Sequence, residues 1–165
     1  MNNVLLYWAR FLSNFGYYDK PLDEQTGLYD GLVLPPTQHM CVCVVSFTSI
    51  VPGYYALSRG YYDLATVPLG TFCTSINYWR NPVFVSHRRT IDIIYVQYGL
   101  WYQIYRAYNA ENAIPYYIIL FTAVSCFPLS WYYHKNKQPW KGTFIHGMVH
   151  ILGNISNMVL YSGQV

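Results

Sequence analysis

Residues 114–133 read IPYYIILFTAVSCFPLSWYY, a run that contains no Asp, Glu, Lys or Arg. A helix that crosses a bilayer needs about 20 predominantly apolar residues, and about 17 at the minimum. Four further stretches of similar length are almost free of charge, at residues 41–57, 63–79, 90–108 and 143–161. The sequence therefore predicts an all-α fold, an integral membrane bundle of about five transmembrane helices embedded in the lipid bilayer.

The overall composition agrees with a membrane environment. Charged residues make up 10 % of the chain, against about 25 % in an ordinary soluble protein. Tyrosine occurs 19 times, and its ring and hydroxyl suit the boundary between lipid and water. The formal net charge of +3 is small and scattered, whereas nucleic-acid binding uses a concentrated basic surface. The composition therefore argues against nucleic acid as a partner.

Basic residues in the connections predict the orientation of the bundle. Basic loops stay on the side from which a chain is inserted, because moving them across the membrane is unfavourable. Five crossings place eight basic residues on the side of the N-terminus: Arg10, Lys20, Arg80, Arg88, Arg89, Lys135, Lys137 and Lys141. Only Arg59 and Arg106 fall on the other side. We therefore expect the N-terminus inside and the C-terminus outside, in a membrane that the sequence does not identify.

The chain before the first apolar stretch predicts a separate N-terminal region, residues 1–38, ahead of a transmembrane domain at residues 39–165. Apolar residues recur in this region at helical spacing. They are Val4, Leu5, Trp8, Phe11, Leu12 and Phe15. The pattern predicts a short amphipathic helix that lies in the inner interface or packs on a partner protein. A loop of turn-forming residues follows it on the inner side.

Polar and ionisable side chains inside the apolar stretches are the candidate functional residues, because such groups are unfavourable in lipid. The candidates are Ser75, Asp92, His146 and His150. At about 1.5 Å per residue, Ser75 and Asp92 each lie within about 6 Å of the inner ends of their helices. The two histidines lie about 6–12 Å from the inner end of theirs. The sequence thus predicts that three helices bring these four residues to similar depth near the inner side.

Two interpretations of this cluster are open from the sequence. Histidines at positions i and i+4 can both bind one metal ion from a single helix face, and a nearby carboxylate can orient a ligand or act on bound water. Alternatively, Asp92 pairs with Arg88 or Arg89 at helical spacing, and the histidines form hydrogen bonds between helices. Asn154 and Asn157 lie on the same face as the histidines and fit this second interpretation.

Three motifs occur in order within residues 70–162: Ser75-Ile-Asn-Tyr-Trp79, then Asp92, then His146-Gly-Met-Val-His150. This order resembles the alkaline ceramidase family and its superfamily of membrane hydrolases, which includes the adiponectin and progestin receptors. In that family a Ser precedes a His by four residues, an Asp opens the next helix, and a late helix carries His-x-x-x-His. The resemblance implies a zinc ion bound by three histidines, among them His146 and His150. Ser75 and Asp92 would support hydrolysis of a lipid amide.

This chain departs from the family pattern at one zinc ligand. The residue four positions after Ser75 is Trp79 instead of histidine, whereas a catalytic zinc site normally has three protein ligands and a water. His87 or Cys73 would have to supply the missing ligand. The family also has seven helices, against five predicted here, so the resemblance implies a shortened and inactive relative.

The function that the sequence most directly predicts is that of a structural or accessory subunit without catalytic activity or cofactor. It would belong to a larger membrane-associated assembly, such as an organellar complex or a virion with an internal membrane. Tyr, Trp and Arg, which are enriched at protein interfaces, recur in the inner loops and N-terminal segment, so other protein subunits are the expected partners. The alternative is a zinc-dependent lipid amidase of the ceramidase type. A third possibility is a small transporter or channel with a polar path of Asp92, Gln97, Gln103, Asn154 and Asn157.

Overall fold

The computed structural model describes residues 33–84 and 86–165, and the regular secondary structure in this part of the chain is helical throughout. The helices are α1 (Pro36–Ser46), α2 (Ile50–Ser58), α3 (Tyr62–Trp79), α4 (His87–Ala107), α5 (Ala113–Lys135) and α6 (Pro139–Ser162). A 3-10 turn, Phe47–Ser49, joins α1 to α2. The predicted all-α class is confirmed for these residues, and the predicted N-terminal amphipathic helix lies outside them.

Helix α1, the 3-10 turn and α2 form one continuous helical segment of 23 residues, so five helical segments follow one another along the chain. Two of the helix starts have a local cause, because Pro36 and Pro139 occupy the first turn, where a missing backbone N–H leaves no intrahelical bond unmade. Two of the connections use left-handed backbone at Gly60 and Lys137, with φ angles of 78° and 56°. Such residues reverse the chain within a few positions.

The five helical segments coincide closely with the five charge-poor stretches, but they differ in hydropathy. Two are long and apolar enough to cross a membrane, namely Pro36–Ser58 and Ala113–Lys135, each of 23 residues with a mean hydropathy of 1.6. Helices α3, α4 and α6 are less apolar because charged, amide, hydroxyl, tyrosine and imidazole side chains interrupt them. Among the described residues there are thus two candidate membrane-spanning helices, not five, and they indicate membrane association only weakly.

Two hydrophobic clusters hold the bundle together. The larger cluster contains residues from every helix from α2 through α6. The side chains of Tyr116, Leu160 and Tyr161 are fully buried in it. The smaller includes Tyr78 and Trp79, at the end of α3, packed against α1. Helices α5 and α6 make the most extensive contacts as an antiparallel hairpin, whereas α4 packs on α3 and scarcely touches α5. The candidate functional residues lie beside the smaller cluster.

The packing of α4 on α3 depends on a close approach at Gly99. A Cβ atom added at this position would lie 2.6 Å from Val67 Cγ1, and a β-branched side chain has little rotamer freedom in a helix. We therefore expect Gly99→Ala to lower the free energy of unfolding by about 1–3 kcal/mol, as overpacking changes commonly do. Thermal unfolding in detergent would measure this loss.

Gly153→Ala is the matched control for that measurement. Nothing lies within 4 Å of a Cβ added at Gly153, which is also helical. Alanine favours a helix interior over glycine by about 1 kcal/mol, so this variant should be as stable as the native chain or slightly more so. Equal stability of the Gly99→Ala and Gly153→Ala proteins would contradict the close packing of α4 on α3.

Candidate functional site

The helix ends that carry most of the basic residues lie together at one end of the bundle. Val33 N–H donates to the carbonyl of Pro82, and Gln38 accepts from Thr143, so the starts of α1 and α6 lie beside the α3–α4 connection. Six basic residues occupy the chain segments at this end: Arg80, Arg88, Arg89, Lys135, Lys137 and Lys141. We call it the basic end. Asp63 and Glu111 lie at the opposite end, at the start of α3 and before α5.

Asp92 is held by two hydroxyl groups of α3. Thr74 Oγ1 and Ser75 Oγ both donate to Asp92 Oδ1, over 2.8 Å and 2.9 Å. Ser75 and Asp92 are buried, with 1 % and 8 % of their surfaces exposed. The sequence placed these two residues at similar depth, and the structure brings them into direct contact. Thr74 was missed, because the pattern of α3 alone does not show which of two adjacent hydroxyls faces α4.

The alternative partners proposed for Asp92 lie elsewhere. Arg89 donates to the carbonyl of Phe84 over 3.2 Å, and its guanidinium lies 4.4 Å from the centre of the Phe84 ring. Within residues 33–84 and 86–165, Arg88 and Asp92 form no ion pair. The carboxylate therefore accepts hydrogen bonds from hydroxyls across a helix interface instead of pairing with a cation on its own helix.

His146 and His150 lie side by side on α6, with their ring centres 5.5 Å apart. The Trp79 ring lies 5.0 Å from the His146 ring and crosses it at a steep angle, and the Phe127 ring lies 6.0 Å away. Both histidines are half-buried. Ser75 and Trp79 are one turn apart on α3, so this single helix contacts both Asp92 and the histidine pair. The four predicted residues thus form two pairs linked through α3.

A third histidine, which is not among the predicted site residues, contacts this part of α3. His39 on α1 is fully buried, and its Nδ1 lies 2.9 Å from the carbonyl oxygen of Trp79. Nδ1 therefore carries the proton in this contact, since a carbonyl can only accept. The position of His39 near the start of a helix was visible in the sequence, but its partner on another helix was not.

His146 and His150 could supply two imidazole ligands to a zinc ion, but the indole of Trp79 occupies the position of a third ligand. Three imidazoles on one tetrahedral zinc, bound through nitrogens about 2.0–2.1 Å from the metal, have ring centres roughly 5 Å apart. The spacings of His146 from His150 and from Trp79 are of that size, but the indole N–H is a donor only. His87 and Cys73 are exposed and contribute nothing to this cluster. In the described part of the chain no three His, Cys, Asp or Glu side chains form a metal-binding group.

The residues of the suggested polar path are dispersed among separate contacts. Gln103 Nε2 donates to the Tyr161 hydroxyl over 2.6 Å, and Asn154 Nδ2 donates to Thr48 Oγ1 over 2.7 Å. Gln97 is exposed on the outer side of α4. Asn157 is buried, and its Oδ1 has no hydrogen-bond partner among the residues described. Gln103 and Asn154 thus each join two helical segments, whereas Gln97 and Asn157 make no such contact among the described residues.

The fold and the polar cluster define a helical protein with two helices able to cross a membrane and with buried polar contacts between its helices. Comparison of the chain with protein-family models, with curated proteins and with solved structures finds no match. The resemblance to the alkaline ceramidases stays a prediction.

Proposed function

We propose that the chain is a five-span membrane protein that serves as a non-catalytic subunit of a larger membrane-associated assembly. The observation that carries this proposal is the position of Trp79, whose indole packs on His146 where a hydrolase would need its third zinc ligand. The other polar pair of the cluster, Ser75 and Asp92, is used in a contact between helices. Asp92 accepts from Thr74 and Ser75, which is how polar groups stabilise helix pairs inside membranes.

The distribution of charge supports five crossings. The five helical segments contain 18 to 24 residues, and alternating directions place their ends on two sides. Six of the eight basic residues in the described ranges lie at the basic end, and the other two, Arg59 and Arg106, lie at the opposite end. Because basic loops stay on the side of insertion, the basic end would face inside, the N-terminus would be inside and the C-terminus outside.

Extraction and labelling test this placement. We expect the protein to stay in the membrane pellet at alkaline pH. In a chain without its native cysteines, which are Cys41, Cys43, Cys73 and Cys126, single cysteines would report the two sides. Lys137→Cys should react with an impermeant thiol reagent only from the inside and Glu111→Cys only from the outside. Release at alkaline pH, or labelling of both positions from one side, would contradict the five-span arrangement.

Metal analysis tests the non-catalytic part of the proposal. We expect far less than one zinc ion per chain after purification in zinc-containing buffer, because two imidazoles do not complete a catalytic site. His146→Ala and the control His87→Ala, which changes an exposed residue, should have equally low zinc contents. Stoichiometric zinc in the native chain, removed by His146→Ala and retained by His87→Ala, would overturn the proposal.

One observation favours the zinc-dependent lipid amidase as a second candidate. Ser75 and Asp92, which the ceramidase resemblance pairs in the reaction, are hydrogen-bonded over 2.9 Å. An amidase would release fatty acid from vesicles that contain ceramide, and Asp92→Asn would abolish that release while preserving the contact with the hydroxyls. Absence of release by the zinc-supplemented native protein would eliminate this candidate.

A further inference from the structure

The outward side of α4 carries a row of large apolar and aromatic side chains. They recur at alternating intervals of four and three residues and are between 54 % and 78 % exposed. The members are Ile91, Ile94, Tyr98, Trp101, Tyr105 and, directly after the helix, Tyr108. This spacing is that of the a and d positions of a heptad, along which two helices pack side by side. We call this row the α4 stripe.

Contact of the α4 stripe with lipid alone would be unfavourable, because a polar side chain lies beside it. Gln97 is exposed beside Tyr98, about halfway along α4. An amide in hydrocarbon without a hydrogen-bond partner is strongly unfavourable. Helix α4 is also not among the helices apolar enough to cross a membrane, and its neighbours cover it mainly on the side of α3. The exposed amide of Gln97 therefore favours contact with protein, instead of lipid, on the outward side of α4.

We propose that the α4 stripe is a dimerisation surface, on which α4 of a second copy packs in parallel about a twofold axis along the membrane normal. The inference rests on the proposed membrane placement. All copies would be inserted with the same orientation, so the α4 helices of two neighbouring copies would run parallel. In a twofold dimer each residue near the axis meets its own counterpart. The stripe has no charge to repel itself, and Gln97, which flanks it, has both donors and an acceptor with which to form hydrogen bonds to the second copy at the edge of the interface.

The size of the α4 stripe suits such a dimer. An aromatic side chain buries about 150–250 Å², so the exposed fractions of the four aromatic members correspond to roughly 400–700 Å² per copy, to which the two isoleucines add. A stable interface commonly buries about 800 Å² per partner. The stripe thus reaches the scale of a specific interface without contributions from other helices.

Single cysteines in the full-length chain without native cysteines test this arrangement in membranes. We expect Ile94→Cys and Trp101→Cys, both on the α4 stripe, to form disulfide-linked dimers on mild oxidation. Ile93→Cys is the matched control, since Ile93 is also exposed on α4 but lies off the stripe. Gln97→Ala should weaken dimerisation roughly 3- to 10-fold, the usual effect of one interhelical hydrogen bond in a membrane.

Each result supports or overturns the α4 dimer. Cross-links at the two stripe positions and none at Ile93 support it. Equal cross-linking at Ile93, cross-links only to a different protein, or none at all would overturn it. Failure of the dimer is distinguishable from failure of the proposed function: a chain that resists alkaline extraction but does not cross-link refutes the dimer alone. A chain released by alkaline extraction refutes the membrane placement, and the dimer with it.

Discussion

Trp79→His is expected to create a zinc site from three histidines on α3 and α6. The indole of Trp79 lies against His146, and His146 lies against His150, at ring spacings of 5.0 Å and 5.5 Å. An imidazole in place of the indole would face the histidine pair as a third nitrogen ligand, which with one water completes a tetrahedral site. Zinc at a concentration about 100 times its Kd would stabilise such a variant by about 2.7 kcal/mol.

The measurement is metal content together with thermal unfolding, with and without zinc. Trp79 is buried in the smaller hydrophobic cluster, so the metal-free variant should unfold at a lower temperature than the native chain. Trp79→Gln is the matched control, because it loses the same packing without adding a strong zinc ligand. Zinc should raise the unfolding temperature of Trp79→His and leave Trp79→Gln unchanged. Equal behaviour of the two variants would show that α3 does not direct position 79 toward the histidines.

Much of the helical framework was predictable because its causes are local in sequence. Runs without charge set the lengths of the helices, and the charged residues between them, such as Arg80 and Lys137, mark the connections. The contact between Ser75 and Asp92 was predictable as a shared depth, since the rise per residue of a helix is constant. The proximity of His146 and His150 followed from their i, i+4 spacing.

The remainder depends on how the helices rotate against one another, which periodicity does not show. Asp92 could have paired with a neighbouring arginine, but the rotation of α4 directs it to the hydroxyls of α3. The contact of His39 with the Trp79 carbonyl joins residues 40 positions apart. The stack of Trp79 on His146 likewise needs α3 and α6 in place. The count of apolar stretches also overstated hydropathy, because charged and amide side chains within α3 and α4, such as Asn77 and Arg106, lower it.

Tyr161→Ala is expected to be among the most destabilising single changes in the bundle. Tyr161 on α6 is fully buried in the larger hydrophobic cluster. Its hydroxyl accepts from Gln103 on α4 over 2.6 Å and donates to the Leu64 carbonyl on α3 over 3.3 Å. Truncating a buried aromatic ring costs about 3–5 kcal/mol, and the amide of Gln103 loses its partner as well.

Three variants separate the ring from the hydroxyl when unfolding is measured in detergent. Tyr54→Ala is the matched control, because 72 % of that tyrosine is exposed and such changes stay within about 0.5 kcal/mol. Tyr161→Phe keeps the ring and should lose about 2 kcal/mol, because it removes both hydrogen bonds of the hydroxyl and each has a net worth of about 1 kcal/mol. If Tyr161→Ala were as mild as Tyr54→Ala, α6 would not join α3 and α4 through this residue. If Tyr161→Phe were as harmful as Tyr161→Ala, the junction would depend on the hydrogen bonds and not on the packing of the ring.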